Sequence, residues 1–116
     1  MNLLKLIALT ATSFLVFSHN CIAQDAAKLI EVHVHRFSFQ PTEITVPKGE
    51  PVTFKLVSDD VTHSLVIKGL GINQTVSKDH PADIKFTSAT AGDFRGQCGR
   101  FCGSGHGSMF FTIHVR

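Results

Sequence analysis

The sequence contains no tryptophan and no tyrosine; its only aromatic rings besides histidine are ten phenylalanines. Long hydrophobic runs are missing too. The longest, Leu6–Phe17, holds twelve mostly apolar residues, well short of the ~20 that a helix needs to cross a bilayer. Neither sign of charge dominates: eleven Lys and Arg stand against nine Asp and Glu, a formal net charge of +2. A near-neutral chain has no basic stripe to hold phosphates, which argues against nucleic acid as a partner. No paired carboxylates and no activated nucleophile occur in a pattern that would support catalysis on a small-molecule substrate. There are no internal repeats, no low-complexity tracts and no linker. Cysteine is sparse, three residues in 116.

One of those three, Cys21, falls in a segment laid out as a secretory signal peptide. Lys5 supplies a positive start, Leu6–Phe17 the apolar stretch, and Cys21-Ile22-Ala23 small residues at both cleavage-determining positions. The expectation is a signal peptide over residues 1–23, an exported protein placed in the periplasm, and a single domain over residues 24–116. Losing Lys5 lowers the formal charge from +2 to +1. The domain then keeps two cysteines, Cys98 and Cys102, and an exported pair is ordinarily a disulfide.

From Ile30 onward the hydrophobic pattern has period two. Ile30, Val32 and Val34 alternate with Glu31, His33 and His35, after which Phe37 and Phe39 take the apolar role with the opposite parity. That switch predicts a bulge or bend at His35-Arg36, or a strand passing between sheets. Ile44 and Val46, then Val52, Phe54 and Leu56, then His63–Ile67, Ile84–Ser88 and Met109–Val115 read as further strands. Asn73–Val76 is a weak segment, and Pro47-Lys48-Gly49 and Thr90-Ala91-Gly92 are turns. Seven or eight short strands without any helical period predict an all-β Greek-key sandwich or barrel.

Residues 98–109 are the most unusual stretch. They offer two thiols (Cys98, Cys102), an imidazole (His106) and a thioether (Met109), separated by glycines. On an extended strand the two cysteines would lie about 13 Å apart, so both sulfurs reach one small centre only if the segment curls, which glycine permits. Soft sulfur donors with imidazole favour copper or zinc, and the thioether tilts the choice towards copper. Seven histidines compete to complete such a centre. His19 leaves with the signal peptide; His33, His35 and His114 lie mid-strand on the solvent side; His80 stands in a loop before a proline. His63 follows the turn Ser58-Asp59-Asp60-Val61 and opens a strand, where one loop end can approach another at the same pole of a sandwich. A disulfide, a structural zinc and a mononuclear blue-copper site of His63, Cys102, His106 and Met109 remain open at this point.

The spacing Cys98-x3-Cys102-x3-His106-x2-Met109, preceded by Asp60-Val61-x-His63-Ser64, resembles the CuA domain of cytochrome c oxidase subunit II and nitrous oxide reductase. Phe37-Ser38-Phe39-x-Pro41, Val46-Pro47-x-Gly49 and Arg95-Gly96-Gln97-Cys98 resemble the surrounding cupredoxin scaffold, and the likeness runs over residues 30–116. It implies a binuclear centre holding two copper ions. Cys98 and Cys102 would bridge both metals, and His63 and His106 would bind one each. Met109 and the backbone carbonyl of Arg100 would be weak ligands. It further implies one-electron transfer with a redox protein, such as a c-type cytochrome or a membrane oxidase or reductase. The alternatives it leaves are a copper carrier for assembly of an oxidase site and a blue-copper protein. Three departures separate the chain from the oxidase members. Arg100 stands where they carry glutamate, the Trp and Tyr of their electron-accepting patch are missing, and no transmembrane hairpin is expected ahead of the domain. These favour a carrier over an oxidase subunit or an enzyme.

Overall fold

A computed structural model describes residues 30–116; the signal peptide expected over residues 1–23 lies outside the described residues. Nine strands follow in order: β1 Ile30–His35, β2 Ser38–Gln40, β3 Glu43–Val46, β4 Val52–Ser58, β5 His63–Ile67, β6 Ile72–Val76, β7 Ala82–Phe86, β8 Gly92–Gln97 and β9 Phe110–Val115. Single 3₁₀ turns occupy Lys68–Leu70 and His106–Ser108. Among the described residues no helix is long and apolar enough to cross a membrane.

The strands form two sheets, β2-β1-β4-β7 and β3-β9-β8-β5-β6. Two parallel pairings, β1 with β4 and β3 with β9, join strands distant in sequence. Those crossovers give the Greek-key sandwich that the period-two pattern predicts. Alternation sets which side chains face inward: β4 reads buried at Val52, Phe54, Leu56 and Ser58 and half-exposed between them. Three rings fill the middle, with Phe111 lying 5.7 Å from Phe39 and 5.9 Å from Phe54, centroid to centroid. Tilted rings at this spacing add to the stabilisation from burial alone.

Three sequence expectations need correction. Of the readings open for the parity switch after His35, the structure shows the bend, sharpened into a full reversal, and not a bulge or a strand changing sheets. The chain reverses in a two-residue turn at Arg36-Phe37, and β2 runs back along β1 with Val34 opposite Phe39. Phe37 therefore does not join the core beside Phe39; it sits in the turn, partly exposed. Asn73–Val76 belongs to a full strand, β6, paired along its length with β5. The hairpin and the extra pairing bring the strand count to nine rather than seven or eight.

Candidate metal centre

Three segments meet at one pole of the sandwich. β5 opens with His63, whose side chain is fully buried. β8 ends at Gln97, opposite Val66 of β5, so Cys98 emerges beside the start of β5. From Cys98 the chain loops to Met109 and returns as β9, and the loop's neck is closed by the Cys98 amide donating to the Met109 carbonyl over 3.2 Å. The Gly99 amide donates to the Ser64 hydroxyl at 3.0 Å, fastening the beginning of the loop to β5. Inside the loop His106 N–H donates to the Gly103 carbonyl and Met109 N–H to the His106 carbonyl, 3.1 and 3.3 Å. These bonds form the short 3₁₀ turn and aim His106 and Met109 inward.

All six residues expected from sequence come together here. Cys98 Sγ lies 4.0 Å from His63 Nδ1 and 3.2 Å from the Arg100 carbonyl oxygen. Cys102 Sγ lies 3.8 Å from His106 Nδ1 and 3.3 Å from Met109 Sδ. Donor atoms of His63, Cys98 and Cys102 all fall within 4.8 Å of one another. The two thiols are free rather than bridged, so the ordinary pairing of exported cysteines is not made. His63, Cys98 and Cys102 form the close group, His106 and Met109 adjoin it through Cys102, and the Arg100 carbonyl adjoins it through Cys98, a mostly soft donor set that fits copper. His33, which bonds Glu31 and Asp59, and His114, which bonds Glu43 and Asp93, are turned to carboxylates instead.

His63 is oriented from behind. Its Nε2 donates to Asp60 Oδ1 at 2.7 Å, which leaves Nδ1 as the lone-pair nitrogen facing the sulfurs. Burial would raise the Asp60 pKa. Hydrogen bonds from the Arg36 amide, the His63 ring and the Val61 amide outweigh it and hold the carboxyl at about 2. Asp60 is thus a permanent anion at neutral pH. The Cys102 thiol is pushed the other way, above its ordinary value: burial contributes most, the neighbouring Cys98 and Asp60 add to it, and Arg36 opposes it. A metal that binds Cys102 as thiolate must therefore displace a proton.

The sequence profile of the cupredoxin-like domain matches residues 5–110. The chain belongs to the cupredoxin-like domain family. Within that family it is 38% identical over 80 residues to cytochrome c oxidase subunit 2 of Thermus thermophilus, covering 69% of this chain and 59% of the relative. The chain thus spans little more than half the length of that relative. The periplasmic domain of cytochrome oxidase subunit II of Bradyrhizobium japonicum superposes with a TM-score of 0.70 at 21% identity, covering 78% of this chain and 85% of the other. Auracyanin A, a blue copper protein of Chloroflexus aurantiacus, superposes with a TM-score of 0.61 at 15% identity, covering 76% and 98%. These two superpositions speak for the fold.

Four residues of this cupredoxin-like domain that bear on the site were given no role from sequence: Asp60, Ser64, Arg36 and Phe37. Asp60 had a signal, a carboxylate three residues before a candidate ligand histidine. Arg36 and Phe37 had none, because their contacts with the loop arise only once the β1–β2 turn folds over it. Phe101, between Arg100 and Cys102, is 78% exposed, and its ring centroid lies 5.8 Å from that of His106. It places one exposed apolar ring beside His106.

Proposed function

We propose that this domain is an exported, periplasmic one-electron carrier built around a binuclear CuA-type centre. The domain would run from residue 24 to 116 after loss of the segment before it. His63, Cys98, Cys102, His106, Met109 and the Arg100 carbonyl would hold two copper ions. The single observation that carries this reading is the pairing of donors: each sulfur faces its own imidazole nitrogen, Cys98 with His63 at 4.0 Å and Cys102 with His106 at 3.8 Å. A mononuclear blue-copper site would leave Cys98 idle, although Cys98 is the buried thiol and is aimed at His63. When bound, the copper pair would supply a one-electron couple, and the negative charges of the Cys98 and Cys102 thiolates would keep its net charge low in both oxidation states.

The chain's own residues do the rest. Asp60 fixes the ring of His63, Ser64 holds the loop's first turn, and the β sandwich keeps the donors in one arrangement, so that little reorganisation accompanies a change of charge. Phe101 offers a redox partner an exposed apolar contact next to His106. That partner would be a protein, such as a c-type cytochrome or a membrane oxidase or reductase. Oxidase subunit 2 of Thermus thermophilus supports this by likeness of sequence.

A second reading, delivery of copper to another protein, draws on the partial exposure of Cys102 and His106. Rapid reduction by a cytochrome with copper retained favours the carrier; transfer of copper to an apo acceptor favours delivery. The test of the centre itself is copper per chain together with spin resonance. Two coppers and a hyperfine pattern from one electron shared between them are expected. Cys98→Ser should drop the content to one or none. Unchanged copper and an unchanged spectrum in that variant would remove Cys98 from the ligand set.

A further inference from the structure

The ligand loop is poorly tied to the rest of the sandwich. Its backbone hydrogen bonds beyond the neck are internal, running between Gly103 and His106, Gly105 and Ser108, and His106 and Met109. Ser64 secures Gly99 at the start. Among the described residues, the one hydrogen bond that joins residues 101–105 to another part of the fold comes from Arg36, whose Nε donates to the Cys102 carbonyl at 3.1 Å. Arg36 lies in the β1–β2 turn and so belongs to the opposite sheet.

Its neighbour Phe37 presses on the same loop. A Cβ at Gly103 would lie 2.8 Å from the Phe37 ring, and one at Gly105 would come closer still. Gly105 has φ −88°, a conformation open to any residue, so its missing side chain is explained by the ring and not by the backbone. The turn also reaches the other half of the centre, because the Arg36 backbone amide donates to Asp60 Oδ2 at 2.8 Å, and Asp60 Oδ1 holds His63.

We propose that the β1–β2 turn is a clasp, with Arg36 and Phe37 as positioning residues that hold the ligand loop in its metal-ready shape before metal arrives. The clasp spans the mouth of the sandwich and touches the Cys102 segment and the Asp60-His63 segment at once. Its purpose rests on the metal-centre reading; its existence does not. A loop already ordered in the apoprotein spends less of the binding free energy on ordering when the metal is taken up. It also releases the metal more slowly.

Side-chain substitution at position 36 leaves the backbone amide on Asp60, so Arg36→Gln removes the bond to the Cys102 carbonyl together with the positive charge beside the Cys102 thiol, a charge that Arg36→Lys keeps. In reduced apoprotein, hydrogen exchange over residues 101–108 should quicken about tenfold in Arg36→Gln, the scale of one hydrogen bond. Phe37→Ala should do the same, Arg36→Lys should recover part of the protection, and exchange in β4 and β9 should stay as in the parent chain. In copper-loaded protein both loosened variants should lose metal to a chelator about tenfold faster. Unchanged loop exchange in both variants would overturn the clasp. So would a rise spread evenly over the whole sandwich, which would make the turn a general folding contact. If the parent chain bound no copper, the metal reading would fail while the apoprotein exchange still decided the clasp.

Discussion

Asp60 bears more of the site than any residue that is not itself a donor. Its carboxylate accepts from the Arg36 amide on one oxygen and from the Val61 amide and His63 Nε2 on the other, at 2.8, 2.6 and 2.7 Å. An asparagine at this position keeps one acceptor oxygen and replaces the other with an N–H donor, which cannot satisfy both sides. Either the Arg36 turn or the His63 ring then loses its partner. Groups that orient a metal ligand from behind typically matter 10- to 100-fold for affinity. Asp60→Asn should therefore weaken copper binding by about 10- to 100-fold in competition with a chelator, with the far-ultraviolet dichroism of the sandwich unchanged. Parent-like affinity in that variant would mean that burial alone orients His63.

At the level of strands, the position of Cys98 relative to His63 depends on how closely β8 lies on β5. The approach is allowed by Gly96, where a Cβ would stand 2.7 Å from the Val66 carbonyl oxygen and 3.2 Å from the Leu65 side chain. A backbone atom cannot move aside as a rotamer can, so Gly96→Ala forces the two strands apart. Overpacking of this kind costs roughly 1–3 kcal/mol, and each kcal/mol lowers Tm by about 4–8 °C in a domain of this size. Calorimetry should show that drop, and copper affinity should fall with it because Cys98 lies two residues along the displaced strand; a Tm within a degree of the parent would show that the strands can part without cost. Much of this architecture was legible in advance. Alternation at Val52–Val57 and at Phe111–Val115 marked strands, and the spacing from Cys98 to Met109 marked the loop. The change of parity marked a bend near Arg36, but not that the chain would reverse fully there into a hairpin, since neither Arg36 nor Phe37 is a turn former. Nor could spacing reveal that Phe37 would rest on Gly103 and Gly105, a contact between chain segments some 65 positions apart whose geometry exists only after both sheets have formed.

Across the whole molecule, two histidines remote in sequence are set alike. His33 of β1 lies between Asp59 at 2.7 Å and Glu31 at 2.6 Å, tying β1 to the turn after β4. His114 of β9 lies between Asp93 at 2.7 Å and Glu43 at 3.0 Å, tying β9 to both of its neighbours, β8 and β3. The hydrogen bond to Asp59 and then that to Glu31 raise the pKa of His33, and those to Asp93 and then Glu43 raise that of His114; burial opposes both. The folded chain therefore binds protons at these sites more tightly than the unfolded chain. The stabilisation is fully present below 6.5, the ordinary histidine value, and is lost as pH rises through the raised folded values. Both rings are partly open to water, so added salt should shrink the effect. Urea unfolding of the reduced apoprotein should thus show stability falling as pH climbs above 6.5. His33→Gln combined with His114→Gln should flatten that fall, while His63 and His106, present in both proteins, cancel in the comparison. The range must stop short of the thiols, because Cys102 is shifted upward and its own titration would add a second loss of stability at still higher pH. A double variant with the slope of the parent chain would show that these carboxylate-flanked histidines gain nothing from their partners in the folded state.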